Sequence, residues 1–280
     1  YEVGIRDWSS DVCSSDLAGG RSTLHWDVLR LWRGALDGLR VAGREHGPVR
    51  SVGIDSWAVD YGLLDADGAL VGNPVAYRDA RTAGLPPRVF AHLPAARHYG
   101  LTGAQVQEFN TIFQLGAASG SAGLAAARRL LMIPDLLGHW LADVQVTELT
   151  NASTTGLLDA STRDWSPEVL AGLAASTGAD VSALLAPVVE PGTVLGPLRP
   201  ELAADLGLGG ADLVAVGSHD TASAVAAVPM DPSRSAYISS GTWSLVGVEL
   251  DAPVLTEASR LANFTNELGV DGTVRYLKNV

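Results

Sequence analysis

Cysteine is almost missing from this chain. Cys13 is the only one in 280 residues, which excludes a disulfide framework and a thiolate zinc site. Long apolar runs are missing too: the greasiest stretch, 124–146, is interrupted by Arg128, Arg129, Pro134, Asp135 and His139. It therefore lacks the ~18 unbroken apolar residues of a membrane span. Positive charge is scarce, with 19 Lys and Arg against 31 Asp and Glu and a net charge of −12. That balance argues against nucleic acid and anionic membranes as partners, since both demand clustered Lys and Arg. Neither the G-x-x-x-x-G-K-S/T loop nor G-x-G-x-x-G occurs, so P-loop and dinucleotide-binding folds are excluded. What is present is enough for a large core: 47% hydrophobic residues and 18% charged.

Hydrophobic spacing orders this material into an α/β chain. Asp27 can cap an amphipathic helix over 27–46, with Val28, Leu31, Trp32, Ala35 and Leu39 on one face. Strands are expected at 49–57 and 59–64, with a turn at 65–68. The Ala-rich stretch 115–131 reads as one helix, and Pro134 opens another over 135–142. The 150–158 stretch reads as irregular. Helices follow at 167–176 and 200–206, a buried strand at 212–216, and a small-residue helix at 220–227. Strands close the chain at 237–240, 243–249 and 274–277. Residues 1–17 carry no helical or strand period and resemble the conceptual translation of a sequencing adapter. They are expected to lie outside the fold.

Two segments suggest chemistry. In VAVGSHDTASAV, 214–225, Asp220 stands between His219 and Thr221 where an apolar strand gives way to a helix. A carboxylate there could take the proton of a hydroxyl, although Asp is also a favoured helix N-cap. In YISSGTWSL, 237–245, a strand breaks at Ser240-Gly241-Thr242. Such a turn can offer amides and hydroxyls to phosphate, or be a plain hairpin. Together they point to phosphoryl transfer onto an alcohol. In GIDSWAVD, 53–60, acids interrupt an apolar strand, which suits a site-lining segment. Arg78, Asp79 and Arg81 can clamp a substrate or pair at the surface, and Lys278-Asn279 is placed just after a strand end.

These pieces, with LHWDVLRLW, PVAYRDART, FNTIFQL, LLMIPDLL, ELTNASTTGLLD, ANFTNE and LKN, run in order over nearly all of the body. The set resembles the FGGY carbohydrate kinases, most of all the members that phosphorylate L-rhamnulose. The resemblance implies an actin-like fold of two RNase-H-like domains around a cleft. Here 18–230 would be the sugar-binding domain, short of its first strand and phosphate loop, and 231–280 the start of the nucleotide-binding domain. It implies a cytoplasmic enzyme that transfers the γ-phosphate of ATP, with Mg²⁺, to the sugar 1-hydroxyl. Asp220 would be the general base. His219, Asp220, Thr221 and Asn279 would touch the sugar, and Thr242 the ATP. Ala58 stands where the family has a sugar-contacting glycine, so its methyl is expected to crowd the sugar slightly. With the phosphate loop and the adenosine pocket absent, these 280 residues alone are expected to be inactive. The competing readings are another ketose or polyol kinase of the family, for fuculose or ribulose, and a sugar-binding protein without chemistry.

Overall fold

A computed structural model describes residues 13–18, 21–241 and 244–280. The first long helix, Val28–Glu45, is capped as the sequence suggests, with the Asp27 carboxylate accepting from the Arg30 N–H at 3.1 Å. Its half-buried Trp32, Leu36 and Leu39 pack on a cluster that includes Val52, Leu206 and Leu213. That cluster covers one face of a three-stranded sheet. Val194–Pro197 lies antiparallel to Asp212–Val214, which runs parallel to Ser51–Val52. The parallel course continues past the strand ends to a bridge between Ser56 and His219. The expected strand over 49–57 is thus a ladder strand only at Ser51–Val52, because its neighbour stops at Val214, and it meets that neighbour's chain again only at the Ser56 bridge.

The 115–131 stretch departs from expectation. It is two short helices, Thr111–Ala118 and Ala122–Ala126, followed by a strand, Arg129–Met132. Gly120, at φ +74°, turns the chain between the helices. The strand pairs antiparallel with Tyr61–Leu64. Leu130, Leu131 and Met132 are all buried, and a continuous apolar run carries no period to separate strand from helix. Residues 150–158, expected to be irregular, contain the helical turns Leu149–Ala152 and Ser153–Thr155. The main core gathers Ile112, Phe113, Leu115, Met132, Leu157 and Leu173, each contributing about 1.5–3 kcal/mol by burial.

The second large sheet is antiparallel, in the order Tyr237–Ser240, Ser244–Leu250, Val274–Asn279, Thr265–Leu268. The strand Thr265–Leu268 and the helix Glu257–Leu261 lie in a stretch to which the sequence assigned no element. Leu268 and Val274 bury against Leu149, Ala152 and Leu158, so this sheet packs directly on the body. The segment 229–235 is a loop in which Ser233 and Arg234 bond to Asp231. Cys13–Ala18, which overlaps the end of the segment expected to stand apart, pairs antiparallel with Arg21–Trp26. Backbone pairing on an available strand edge needs no apolar period. Among the described residues no helix is long and apolar enough to cross a membrane.

Candidate active site

A cleft of about 360 Å³ lies between the Asp220–Ala226 helix and the antiparallel sheet. Ala58, His219, Asp220, Thr221 and Asn279 all line it. Thr242 falls outside the described residues. Ser239 and Gly241, its neighbours on the hairpin, are at the cleft wall. The strands on either side run antiparallel, with Ser240 paired to Ser244.

Asp220 is the first residue of its helix and not the cap, a place held by His219. Its Oδ1 accepts from the Thr221 N–H at 2.6 Å, and its side chain is 56% exposed. A hydroxyl in the cleft can therefore reach it. The loop carrying it is fixed through backbone groups. On one side Ser56 N–H donates to Ser218 O, and Asp220 N–H donates to Ser56 O, each at 2.9 Å. On the other side the wholly buried Glu148 accepts from Ser218 N–H at 2.9 Å and Ser218 Oγ at 2.8 Å. It also accepts from Thr150 Oγ1 at 2.6 Å, and that hydroxyl in turn accepts from His219 N–H at 3.2 Å.

The wall near Ala58 is tightly built. Asp60 N–H donates to Ala58 O, closing a three-residue turn around Val59 at φ +66°. A β-branched residue there is strained. Val59 O is held by Thr111 Oγ1 at 2.7 Å and by Gln114 Nε2 at 3.2 Å. Asp60 is fully buried and accepts from both indoles, Trp26 at 2.6 Å and Trp57 at 3.0 Å, and from Tyr77 N–H at 3.1 Å. Burial raises its pKa, and these hydrogen bonds oppose the rise. Asp60 is thus a clamp behind the cleft that sets Trp57 and Tyr77 in its wall, while Asp55 is exposed and turned to solvent. Asp79 accepts from the backbone of Leu24 and Arg81, and Arg81 donates to Gln114. Asp79 and Arg81 do not line the cleft and instead tie neighbouring segments together.

Asn279 lies within the last strand, correcting the expectation that it follows one. The strand's alternation puts Arg275, Leu277 and Asn279 on one face. Leu277 and Asn279 line the cleft, and Asn279 Oδ1 has no hydrogen-bond partner among the described residues. Glu267, from the neighbouring strand, also lines it. Burial opposes the charge of Glu267, but Arg275 and His219 outweigh it and hold the carboxyl down at about 2. Sequence reasoning missed Glu267, Arg275 and Glu148. The one signal was charge inside apolar alternation, as in VRYL.

Rhamnulokinase from Bacteroides thetaiotaomicron is 43% identical over 258 residues, 91% of this chain and 52% of the relative. Rhamnulokinase from Bacillus subtilis is 43% identical, covering 91% and 51%. The chain spans about half the length of the curated relatives it matches. The fold is shared with xylulose kinase from Lactobacillus acidophilus, TM-score 0.80 at 18% identity over 95% of this chain and 53% of that one. It is shared also with glycerol kinase from Plasmodium falciparum with ADP, TM-score 0.74 at 16% identity over 95% and 54%. Residues 17–227 match the model of the FGGY family of carbohydrate kinases, N-terminal domain. By that match over most of its length, the chain belongs to the FGGY family of carbohydrate kinases.

Proposed function

We propose that this chain forms the sugar-binding part of an actin-like, cytoplasmic, ATP-dependent kinase that phosphorylates the 1-hydroxyl of L-rhamnulose. In this reading 18–230 is the sugar-binding domain and 231–280 opens the nucleotide-binding one. The observation that carries the reading is the convergence of Ala58, His219, Asp220, Thr221 and Asn279 on one cleft from segments up to the chain's last strand. The identity to rhamnulokinases supports the choice of sugar.

Asp220 accepts the proton of the hydroxyl as the bond to phosphorus forms. Among the described residues its exposed carboxylate is bonded only within its own turn, to Thr221 N–H and Oγ1. His219, Thr221 and the unsatisfied Asn279 Oδ1 orient the sugar. Ser239 and Gly241 offer hydroxyl and amide to the phosphates of ATP, with Thr242 beyond them. Among the described residues a Cβ added to Gly241 would meet nothing within 4 Å, so space is open beside it. In this reading Mg²⁺ would arrive on the phosphates of ATP. When bound it neutralises phosphate charge.

The test pairs two measurements on Asp220→Asn. L-rhamnulose binding to this chain stays within about threefold of wild type. ATP-dependent phosphorylation, measured on a polypeptide spanning the full length of the relatives, falls by at least ~10². Unchanged turnover removes Asp220 as base. A panel in which fuculose or ribulose outcompetes L-rhamnulose reassigns the sugar.

A further inference from the structure

Behind the cleft, Arg275 is fully buried in the middle of a sheet, with Glu249 and Glu267 as its ladder partners on either side. A guanidinium carries only donors. Here one nitrogen, Nη2, serves two acceptors: Leu268 O at 3.4 Å and His219 Nδ1 at 3.2 Å. The backbone carbonyl holds the guanidinium in place, and Nδ1 receives its bond with a lone pair. The proton of the neutral ring is then on the other nitrogen, Nε2, which stands 3.5 Å from Asp220 Oδ1 with no hydrogen bond formed between them. The ring thus meets the cleft as a donor, beside a carboxylate that can only accept.

We propose that Arg275 is a positioning residue whose bond to Nδ1 fixes His219 as the Nε2–H tautomer. A donor, Nε2–H, and an acceptor, the Asp220 carboxylate, then face the sugar side by side. The inference rests on the sugar-kinase reading above for its substrate, though not for its geometry. A hydroxyl both donates and accepts, so such a pair can hold one hydroxyl through both roles or span two neighbouring ones. Two observations favour positioning over a purely structural ion pair. Arg275 directs a donor to a ring that lines the cleft, while Nε and Nη1 of the same guanidinium have no partner among the described residues. Glu267 Oε2 lies 3.1 Å from Arg275 Nη2 and 3.3 Å from His219 Nδ1 but is in hydrogen-bond geometry with neither. It therefore balances the charge of the buried guanidinium and leaves Nδ1 to Arg275. Glu249 and the Tyr237 hydroxyl also face the guanidinium, and neither bonds to His219 among the described residues.

The test uses this chain with two readouts. Two-bond ¹⁵N–¹H spectra at about pH 8, where an ordinary imidazole is neutral, report the tautomer of His219. Wild type is expected as Nε2–H, and Glu267→Gln leaves it so. In Arg275→Met the Glu267 carboxylate, 3.3 Å away, takes over at Nδ1 and the ring shifts toward Nδ1–H. Should that variant fail to fold, Arg275→Met with Glu267→Gln removes both charges and gives a mixture of the two tautomers. Calorimetry with L-rhamnulose supplies the second readout. Arg275→Met and His219→Ala each weaken binding about tenfold, and the double variant is no weaker than His219→Ala alone. The proposal is overturned by Nδ1–H in wild type, by a shift in Glu267→Gln, by an unaltered tautomer in the Arg275→Met chains, or by losses that add in the double variant. A wild-type chain that binds no L-rhamnulose overturns the sugar assignment instead, and the tautomer readout still decides this one.

Discussion

Glu148→Gln is expected to loosen the Asp220 loop and to weaken sugar binding as a consequence. Five donors converge on this carboxylate: Thr150 N–H on Oε1, and Thr150 Oγ1, Asn151 N–H, Ser218 N–H and Ser218 Oγ on Oε2. An amide must place its NH₂ at one of the two positions. At Oε2 it would face four donors. At Oε1 it faces only Thr150 N–H, and leaving that buried donor unpaired costs about 1–3 kcal/mol. The four surviving bonds also lose their charge assistance. Part of the loss is returned by Asp135, which burial pushes well above the usual carboxylate range and which the charge of Glu148 pushes further. The net expectation is about 2–4 kcal/mol of destabilisation, with L-rhamnulose affinity falling because His219 N–H hangs on the same Thr150 hydroxyl. Urea unfolding gives the first quantity and calorimetry the second. A variant within 0.5 kcal/mol of wild type, with unaltered affinity, would refute the argument that Glu148 sets the loop.

Two further outcomes concern the scaffold. Burial lowers the pKa of His98 to about 4, against the opposing bond from Nε2 to Gly156 O at 2.8 Å. The folded state therefore favours the neutral ring: its contribution is complete above about pH 6.5 and is lost as pH falls toward 4, about 3 kcal/mol in all. His98→Gln should flatten unfolding free energy across that window, and an unchanged slope would exclude His98 as its source. Gly103 ends the Ala95–Thr102 helix at φ +66°, and an added Cβ would lie 2.8 Å from the Asn266 side chain and 2.9 Å from Leu255. Gly103→Ala should cost about 2–3 kcal/mol from left-handed backbone plus overlap. A melting temperature equal to wild type would show that the contact with the Thr265–Leu268 strand yields freely.

Much of the cleft was readable because its residues sit where local patterns change. Asp220 follows a buried strand and opens a helix, and Ser239–Gly241 follow another strand, so spacing alone marks both. The helix at Val28–Glu45 was readable for the same reason, through its cap and its stripe. Arg129–Met132 was not, because buried strand and buried helix look alike when every residue is apolar. Glu267, Arg275 and Glu148 escaped for a different cause. Their meaning lies in partners across 8 to 70 residues of sequence, as in the bond from Ser218 N–H to Glu148, and no local pattern encodes a long-range acceptor. Asp60 was noticed as an acid in a strand but not as the acceptor for two indoles, since Trp26 lies 34 residues away.

In the proposed reaction, the division of labour around Asp220 lets a buried frame present a solvent-facing carboxylate. Four of the contacts that fix this loop to the rest of the chain are made by main-chain groups: Ser218 N–H to Glu148, His219 N–H to Thr150, Asp220 N–H to Ser56 O, and Ser56 N–H to Ser218 O. These anchors lie in the core, where hydrogen bonds are shielded from water and rigid. Among the described residues the side chain of Asp220 makes bonds only within its own turn. A hydroxyl entering the cleft can thus engage the carboxylate without first dismantling any contact that holds the loop, while the loop itself cannot drift. Positioning contributes to rate only when the reacting group is held to within a fraction of an ångström before substrate arrives. Fixing the backbone and freeing the side chain meets that requirement and leaves His219, gripped at Nδ1, as the neighbouring side chain whose orientation remains to be controlled.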